Sequence, residues 1–169
     1  MAKLLEHSPW GGPDLIFDEL AGRWQIERRI DNGAVLTGTA IFKRAASNEL
    51  RYCEEGRLRL PNGGQFDSEQ KYVYGKLEGG FAVFFNETPL RLFHELHFQP
   101  DGRGAFRGHA THPCDNDLYN SEYAFLPDGS FVVQHQVTGP KKSYLMITQY
   151  HRIAPIRERY RHFSTVACT

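Results

Sequence analysis

The sequence has few cysteines, no excess of either charge and no long apolar segment. Its three cysteines, Cys53, Cys114 and Cys168, form no C-x-x-C pair, which excludes a zinc ribbon or a disulfide framework as the basis of the fold. Lys and Arg number 20 and so do Asp and Glu, so the chain lacks the basic surplus of a nucleic-acid-binding domain. No apolar run approaches the ~20 residues of a membrane span. We therefore expect neither nucleic acid nor membrane as a partner.

The opening residues also lack the apolar segment of a signal peptide. Hydrophobic residues make up 40% of the chain, which is too many for a disordered protein, and 169 residues suit one domain. We expect a single cytoplasmic domain over 1–169. Its core spans about 20–152, between an N-terminal cap over 1–19 and a tail over 153–169.

Turn-forming sequences recur at regular intervals. Asp31-Asn32-Gly33 and Pro127-Asp128-Gly129 are examples, and both contain residues that favour tight turns. The segments between turns are rich in Val, Ile, Thr, Tyr and Phe and alternate in polarity, which predicts strands over 22–30, 35–43, 50–60, 66–74, 81–85, 90–98, 104–114, 117–125, 131–137 and 144–152. Short strands without intervening helices predict an all-β fold, a closed antiparallel up-and-down β-barrel of about 8–10 strands.

Helix signals are confined to the ends of the chain. Pro13 and Asp14 precede an apolar segment over 15–20, which predicts a short N-terminal helix that covers one end of the barrel. The basic residues Arg157, Arg159 and Arg161 are interpreted as a solvated tail, with a second helix as the alternative.

The predicted inward faces combine polar and small residues. Alternation places Glu54 and His135 on inward faces, together with Gly38, Ala40 and Gly108. Small residues leave volume unfilled, and polar groups within that volume need partners. A barrel of this size has room for one small ligand, so the sequence predicts an interior pocket.

Two residues at the ends of the predicted barrel resemble a feature of lipocalin and calycin barrels. Gly22-x-Trp24 opens the first predicted strand, and Arg152 ends the last one. In those barrels a first-strand Trp packs at the closed end and a late Arg lies across it. The resemblance implies that Trp24 and Arg152 form a structural pair there, with the guanidinium on the indole face.

A longer series of motifs is similar to an uncharacterised family of calycin-like bacterial and fungal domains. The similarity extends from about Leu20 to Arg152 and rests on Tyr52-x-Glu54-x-Gly56, Tyr72, Phe93-His94, Ala110-x-His112-x-Cys114-x-x-Asp117-x-Tyr119 and Gly139-Pro140-Lys141-Lys142. It implies a calycin-like fold but no function. The chain lacks the glycine-rich segment that follows the first-strand Trp in the haem-binding nitrobindin barrels, so haem is only an alternative.

His94 is the first catalytic candidate, because it interrupts an otherwise apolar strand face. An inward Glu54 needs neutralisation by Arg152, Arg28 or a histidine. Two interpretations remain open. Either Glu54 and His94, with His112, supply acid–base catalysis, or each is structural, with Glu54 in a buried ion pair and His94 bonded to Glu54 or a tyrosine.

His112, Cys114 and Asp117 form the densest group of potential metal ligands. His112 and Cys114 share one face of a strand, but zinc requires three or four converging ligands. A site would need His94 or His135 from a neighbouring strand. We predict no metal and no cofactor, and zinc is the alternative.

The inward tyrosines suit an aromatic ligand, because each phenol offers apolar area and one polar group. Lys142 follows a Gly-Pro turn, and we expect it to reach over the barrel mouth. The predicted ligand-binding residues are Tyr52, Tyr72, Tyr74, Phe85, Tyr119, Tyr123, His135, Lys142 and Tyr144.

Two functional hypotheses follow. The first is the binding of a small apolar or aromatic molecule inside the barrel, which the lack of Gly-x-Ser-x-Gly and His-Glu-x-x-His motifs favours. The alternative is a small barrel enzyme, of isomerase, cyclase or hydrolase type, that uses His94, His112, Glu54 and a tyrosine. The expected partner is a small molecule, and a homodimer is a further expectation.

Overall fold

The computed structural model describes residues 8–154, which form one short helix and eleven strands. The helix α1 spans Ile16–Glu19. The strands are β1 Gly22–Ile30, β2 Val35–Ala46, β3 Glu49–Arg59, β4 Gln65–Leu77, β5 Gly80–Phe85, β6 Arg91–His97, β7 Gln99–Pro100, β8 Phe106–Cys114, β9 Asp117–Phe125, β10 Phe131–Thr138 and β11 Ser143–Arg152.

The sheet is antiparallel and follows the order of the chain. Each strand pairs with its sequence neighbours, except that β6 and β7 are not paired, and β11 returns to pair with β1. At the remaining seam β6 packs against β8, and no ladder of hydrogen bonds joins these two described strands. The predicted up-and-down barrel is confirmed as an eleven-stranded sheet that is nearly closed.

Two glycine positions allow backbones to approach closely. Gly38 of β2 faces Gly56 of β3, and a Cβ at Gly38 would overlap the carbonyl oxygen of Glu55. At the seam, a Cβ at Gly108 would lie 2.8 Å from the Phe98 ring. Glycine is therefore required where the strands bend and where the sheet edges meet.

An aromatic core fills the end of the barrel that α1 covers. Ile16 and Phe17 of α1 are buried. Trp24 donates from its indole Nε1 to the carbonyl of Leu20 at 2.9 Å, and Trp10 stacks on Trp24 with ring centroids 6.0 Å apart. Each fully buried aromatic side chain contributes about 2–3 kcal/mol of hydrophobic free energy. The predicted N-terminal helix is confirmed, although it spans only four residues.

Arg152 lies across this closed end. Its guanidinium carbon is 4.3 Å from the centroid of the Trp24 ring. The same guanidinium donates to the backbone carbonyls of Glu19 and Ala21. It therefore connects the last strand both to the first strand and to the end of α1.

Alternation along β6 is interrupted by a β-bulge at Phe93. The ladder between β5 and β6 passes over this residue, so Phe93 and His94 are both buried. Leu90 and Leu92 are turned outward and are 48% and 42% exposed. The apolar strand face that His94 was predicted to interrupt included these two leucines, and this part of the prediction is wrong because the extra residue reverses the parity of the strand before it.

No helix within residues 8–154 is long and apolar enough to cross a membrane. Arg157, Arg159, Arg161 and Cys168 lie outside the described residues.

Candidate functional site

A cavity of about 350 Å³ lies between the aromatic core and the open end of the barrel. Six predicted tyrosines line it: Tyr52, Tyr72, Tyr74, Tyr119, Tyr123 and Tyr144. Phe85, His135 and Glu54 also line it. The volume falls within the range of small-molecule pockets, about 300–1,000 Å³, and most of its wall is aromatic.

A buried ion pair crosses the cavity wall. Arg28 Nη1 and Nη2 donate to the two oxygens of Glu54 at 2.7 and 2.8 Å, and Arg28 Nε donates to Thr148 Oγ1 at 2.7 Å. Arg28 and Glu54 belong to β1 and β3. The intervening strand presents Gly38, which has no side chain to separate them. Of the neutralising partners considered for Glu54, the structure selects Arg28.

Two tyrosines extend this pair into a chain of hydrogen bonds. The Tyr52 hydroxyl donates to Glu54, and the hydroxyls of Tyr52 and Tyr150 are 3.0 Å apart. Burial raises the pKa of both phenols, so they stay protonated at neutral pH. Burial opposes the charge of Arg28, but the hydrogen bonds to Glu54 outweigh it and raise the pKa of Arg28. The network is thus a neutral, bonded unit.

His94 lies behind the cavity wall rather than on it. It is 4% exposed, and its Nε2 is 3.0 Å from the Tyr123 hydroxyl. Burial, together with nearby His135 and His112, lowers the pKa of His94 to about 2, so the ring is neutral. Because Glu54 bonds to Arg28 and Tyr52 while His94 bonds to Tyr123, the structure does not bring Glu54 and His94 together as an acid–base pair.

His112 also lies outside the cavity wall. Its ring stacks on Phe93 with centroids 5.3 Å apart, and its Nε2 is buried with no hydrogen-bond partner in the described chain. Burial, with a contribution from Arg91, lowers the pKa of His112. The predicted catalytic residues are therefore split, with Glu54 on the cavity and both histidines behind it.

The residues considered for zinc do not converge. Cys114 lines the cavity, whereas Asp117 forms an ion pair with Lys142 at 2.8 Å. Among residues 8–154, no three His, Cys, Asp or Glu side chains are placed to hold a metal ion. Lys142 is absent from the cavity lining, and Asp117 holds its ammonium group in the turn.

His135 is the histidine that reaches the cavity. Its Nδ1 is 2.7 Å from Ser121 Oγ, and Ser121 is buried behind it. Burial, together with the charge of Arg28, lowers the pKa of His135 to about 4. The ring is therefore neutral at pH 7, with Nδ1 occupied and Nε2 left for the cavity.

Four aromatic or cationic residues line the cavity but were not among the predicted ligand-binding residues: Arg28, Arg91, Phe93 and Tyr150. Phe93 enters through the bulge, which strand alternation cannot reveal. Arg91 lies at the rim, where its guanidinium carbon is 4.1 Å from the centroid of Phe85 and Nη2 bonds to Glu87 at 2.9 Å. The spacing of Glu87 and Arg91 in the turn before β6 was the available signal for that ion pair.

An up-and-down barrel with one packed end and an interior cavity is a lipocalin-like barrel. Residues 20–152 match a family of unknown function, DUF6314, and the chain belongs to this family. These are the residues over which the motif resemblance extends. No curated protein matches the chain.

Three solved structures are similar to this chain at low sequence identity, and the first of them shares its fold. The S-type phycobiliprotein lyase CPES from Guillardia theta is 14% identical, with 83% of this chain and 92% of that chain covered and a TM-score of 0.58. The designed barrel EF1p2_mFAP2b bound to DFHBI is 11% identical, with 81% and 96% covered and a TM-score of 0.41. A de novo designed fluorescence-activating β-barrel is 12% identical, with 80% and 95% covered and a TM-score of 0.41. Likeness at these identities concerns the fold and not the function.

Proposed function

We propose that this barrel binds one small, largely apolar aromatic molecule in its interior cavity. The observation that carries the proposal is a cavity of about 350 Å³ whose wall is built mainly from aromatic rings. Tyr72, Phe85 and Phe93 lie within 6.2 Å of one another by ring centroid, which makes an aromatic surface on one side. Such surfaces favour flat aromatic ligands through offset or edge-to-face contacts.

The polar groups of the cavity support binding rather than turnover. Arg28 and Glu54 satisfy each other, and Tyr52 and Tyr150 complete their network. Three of the roughly four lone-pair positions of the Glu54 carboxylate are therefore occupied within the wall, which leaves little room for it to accept a substrate proton. The acid–base alternative also requires His94 and His112, which do not line the cavity.

The test uses N-phenyl-1-naphthylamine, a neutral aromatic probe whose fluorescence rises in apolar surroundings. Met146 lines the cavity, so Met146→Trp fills part of it, whereas Gln149→Trp places the same side chain on the exposed face of β11. We expect a saturable fluorescence increase with the wild type and with Gln149→Trp. Met146→Trp should weaken binding by at least about tenfold, the equivalent of 1.4 kcal/mol.

Native mass spectrometry of the freshly purified full chain provides an independent measurement of a copurified organic molecule. Equal probe binding by the two tryptophan variants would place the probe outside the cavity and contradict the proposal. The absence of both probe binding and a copurified molecule would also overturn it.

A further inference from the structure

The donors and acceptors at the cavity define the ligand more narrowly. Resting on the function proposed above, we infer that the barrel selects neutral aromatic molecules that carry a carbonyl-type hydrogen-bond acceptor, and that it discriminates against carboxylates. The selection depends on where each polar hydrogen of the cavity wall points.

The hydroxyl hydrogens of Tyr52 and Tyr150 are directed towards Glu54. Because the Tyr52 hydroxyl donates to Glu54, it cannot also donate to Tyr150. Tyr150 therefore donates to Tyr52 across their 3.0 Å contact. Glu54 accepts hydrogen bonds from Tyr52 and from two N–H groups of Arg28, so its charge is already engaged within the wall.

Arg28 lines the cavity and has more N–H groups than its bonds to Glu54 and Thr148 use. A guanidinium has five N–H groups, and three of those in Arg28 bond to Glu54 and Thr148. The other two have no hydrogen-bond partner within the described chain. Since Arg28 lines the cavity, these N–H groups are available to a ligand acceptor, while Glu54 cancels the charge of Arg28.

His135 supplies a further donor, and Ser121 decides its tautomer. The buried hydroxyl of Ser121 has His135 Nδ1 as its hydrogen-bond partner, at 2.7 Å. If Nδ1 carried the hydrogen, the hydroxyl hydrogen of Ser121 would be buried without an acceptor, which is unfavourable. Ser121 therefore donates to Nδ1, and the neutral ring carries its hydrogen on Nε2, towards the cavity.

The two donor groups lie on one wall of the barrel. β11 pairs with both β1 and β10, and Thr148 of β11 is the register partner of Arg28. His135 is the partner of Met146, the next inward residue of β11. An acceptor at this wall meets N–H groups from both sides. The carboxylate of a ligand would instead add a second negative charge beside Glu54, and Arg91 at the rim is already paired with Glu87.

Three naphthalenes of similar size test this inference by competition with N-phenyl-1-naphthylamine. They are 2-acetonaphthone, which carries a neutral carbonyl, 2-ethylnaphthalene, which has no acceptor, and 2-naphthoate, which is anionic. We expect the ketone to bind at least about tenfold more tightly than either of the others, because 2-ethylnaphthalene leaves buried donors unpaired and 2-naphthoate adds a negative charge beside Glu54.

The pattern of affinities separates the two proposals. Equal affinity for the ketone and 2-ethylnaphthalene would overturn acceptor selection and leave the aromatic pocket standing. If 2-naphthoate bound most tightly, the inferred preference for neutral ligands over carboxylates would be overturned. Failure of the probe itself to bind would overturn the proposed function and this inference with it.

Replacement of His135 tests the assigned donor. His135→Leu should weaken the binding of 2-acetonaphthone by about tenfold and change the affinity for 2-ethylnaphthalene by less than about twofold, since only the ketone uses the N–H group. His109→Leu, on the exposed outer face of β8, is the matched control. Retained 2-ethylnaphthalene binding shows that the variant is folded, and an equal change for both ligands would contradict the role of His135.

The tautomer has its own readout. Nitrogen-15 NMR of the wild type at pH 7 should show His135 protonated on Nε2 and unprotonated on Nδ1. In Ser121→Ala both neutral tautomers of His135 should be populated. Protonation on Nδ1 in the wild type would overturn the assignment of Nε2–H as the ligand donor.

Discussion

The closed and open ends of the barrel are built by the same strands but from different chemistry. Along β3, successive inward positions are Leu50, Tyr52 and Glu54. Along β1 they are Trp24, Ile26 and Arg28. Each strand therefore passes from apolar side chains at the closed end, through tyrosine or aliphatic residues, to charged or hydrogen-bonding groups beside the cavity.

This gradient separates stability from binding. At the closed end, Trp24, Trp10 and Phe131 are almost fully buried and pack ring against ring. At the open end, Tyr72 and His135 are only partly buried, and each contacts the cavity. Dense packing makes substitutions costly, whereas a cavity accepts changed side chains with less loss. Variants at the two ends should therefore differ in both stability and probe binding.

The largest expected effect is at the closed end. Trp24→Ala should lower the free energy of unfolding by about 3–5 kcal/mol, because it leaves a cavity in the aromatic core and removes the contact with Arg152. Tyr72→Ala at the open end should lower the free energy of unfolding by less than about 2 kcal/mol, because this side chain already borders the cavity. Urea unfolding measures both, and equal losses would contradict the separation of the two ends.

The next effect concerns the ion pair. Glu54→Gln should lower the free energy of unfolding by about 3 kcal/mol, because it leaves the buried guanidinium of Arg28 without its counter-charge. The adjacent Glu55 is exposed on the outer face of the same strand, and Glu55→Gln should change stability by less than about 0.5 kcal/mol. If the two variants unfold at the same urea concentration, the pair does not stabilise the open end.

A third effect is the acid sensitivity of the open end. Burial lowers the pKa of His135 to about 4 and that of His94 to about 2, from 6.5, so unfolding takes up protons as the pH falls below 6.5. Each histidine then contributes stability above pH 6.5 that declines on acidification, by about 2 kcal/mol between pH 7 and pH 5. Among the charged and titratable groups around them, Arg28 lowers and Glu54 raises the pKa of His135, whereas His135 and His112 lower the pKa of His94.

Substitution of one histidine sharpens this prediction. His135→Leu should remove about half of the loss in unfolding free energy between pH 7 and pH 5, as measured by urea unfolding at both values. His151→Leu, on the exposed face of β11, is the control. An unchanged pH dependence in His135→Leu would show that its ring is not held neutral in the fold.

The smallest expected effect is at the surface of the closed end. Arg152→Met should lower the unfolding free energy by about 1 kcal/mol, because the exposed guanidinium stacks on Trp24 and bonds to two carbonyls at the end of α1. Binding of N-phenyl-1-naphthylamine should be unaffected. Reduced probe affinity in this variant would show that the two ends are coupled.

The features that could be predicted from the sequence are those that depend on local patterns, namely strand alternation and turn sequences. Alternation with a period of two assigns Tyr52, Glu54 and His135 to the interior without knowledge of their partners. The turn sequences predict the antiparallel order in the same way. The β-bulge at Phe93 was not predictable, because it arises from the ladder between β5 and β6 and leaves no periodic signal.

The sequence by itself determined the antiparallel strands, the inward faces of those without a bulge and the aromatic character of the interior, because these depend on neighbours within each segment. Only the tertiary structure decided that Glu54 pairs with Arg28, that His94 lies behind the wall and that His135 bonds to Ser121. Those outcomes depend on register between strands that are distant in the chain and on the curvature that brings them together. Short-range pattern carries no information on either.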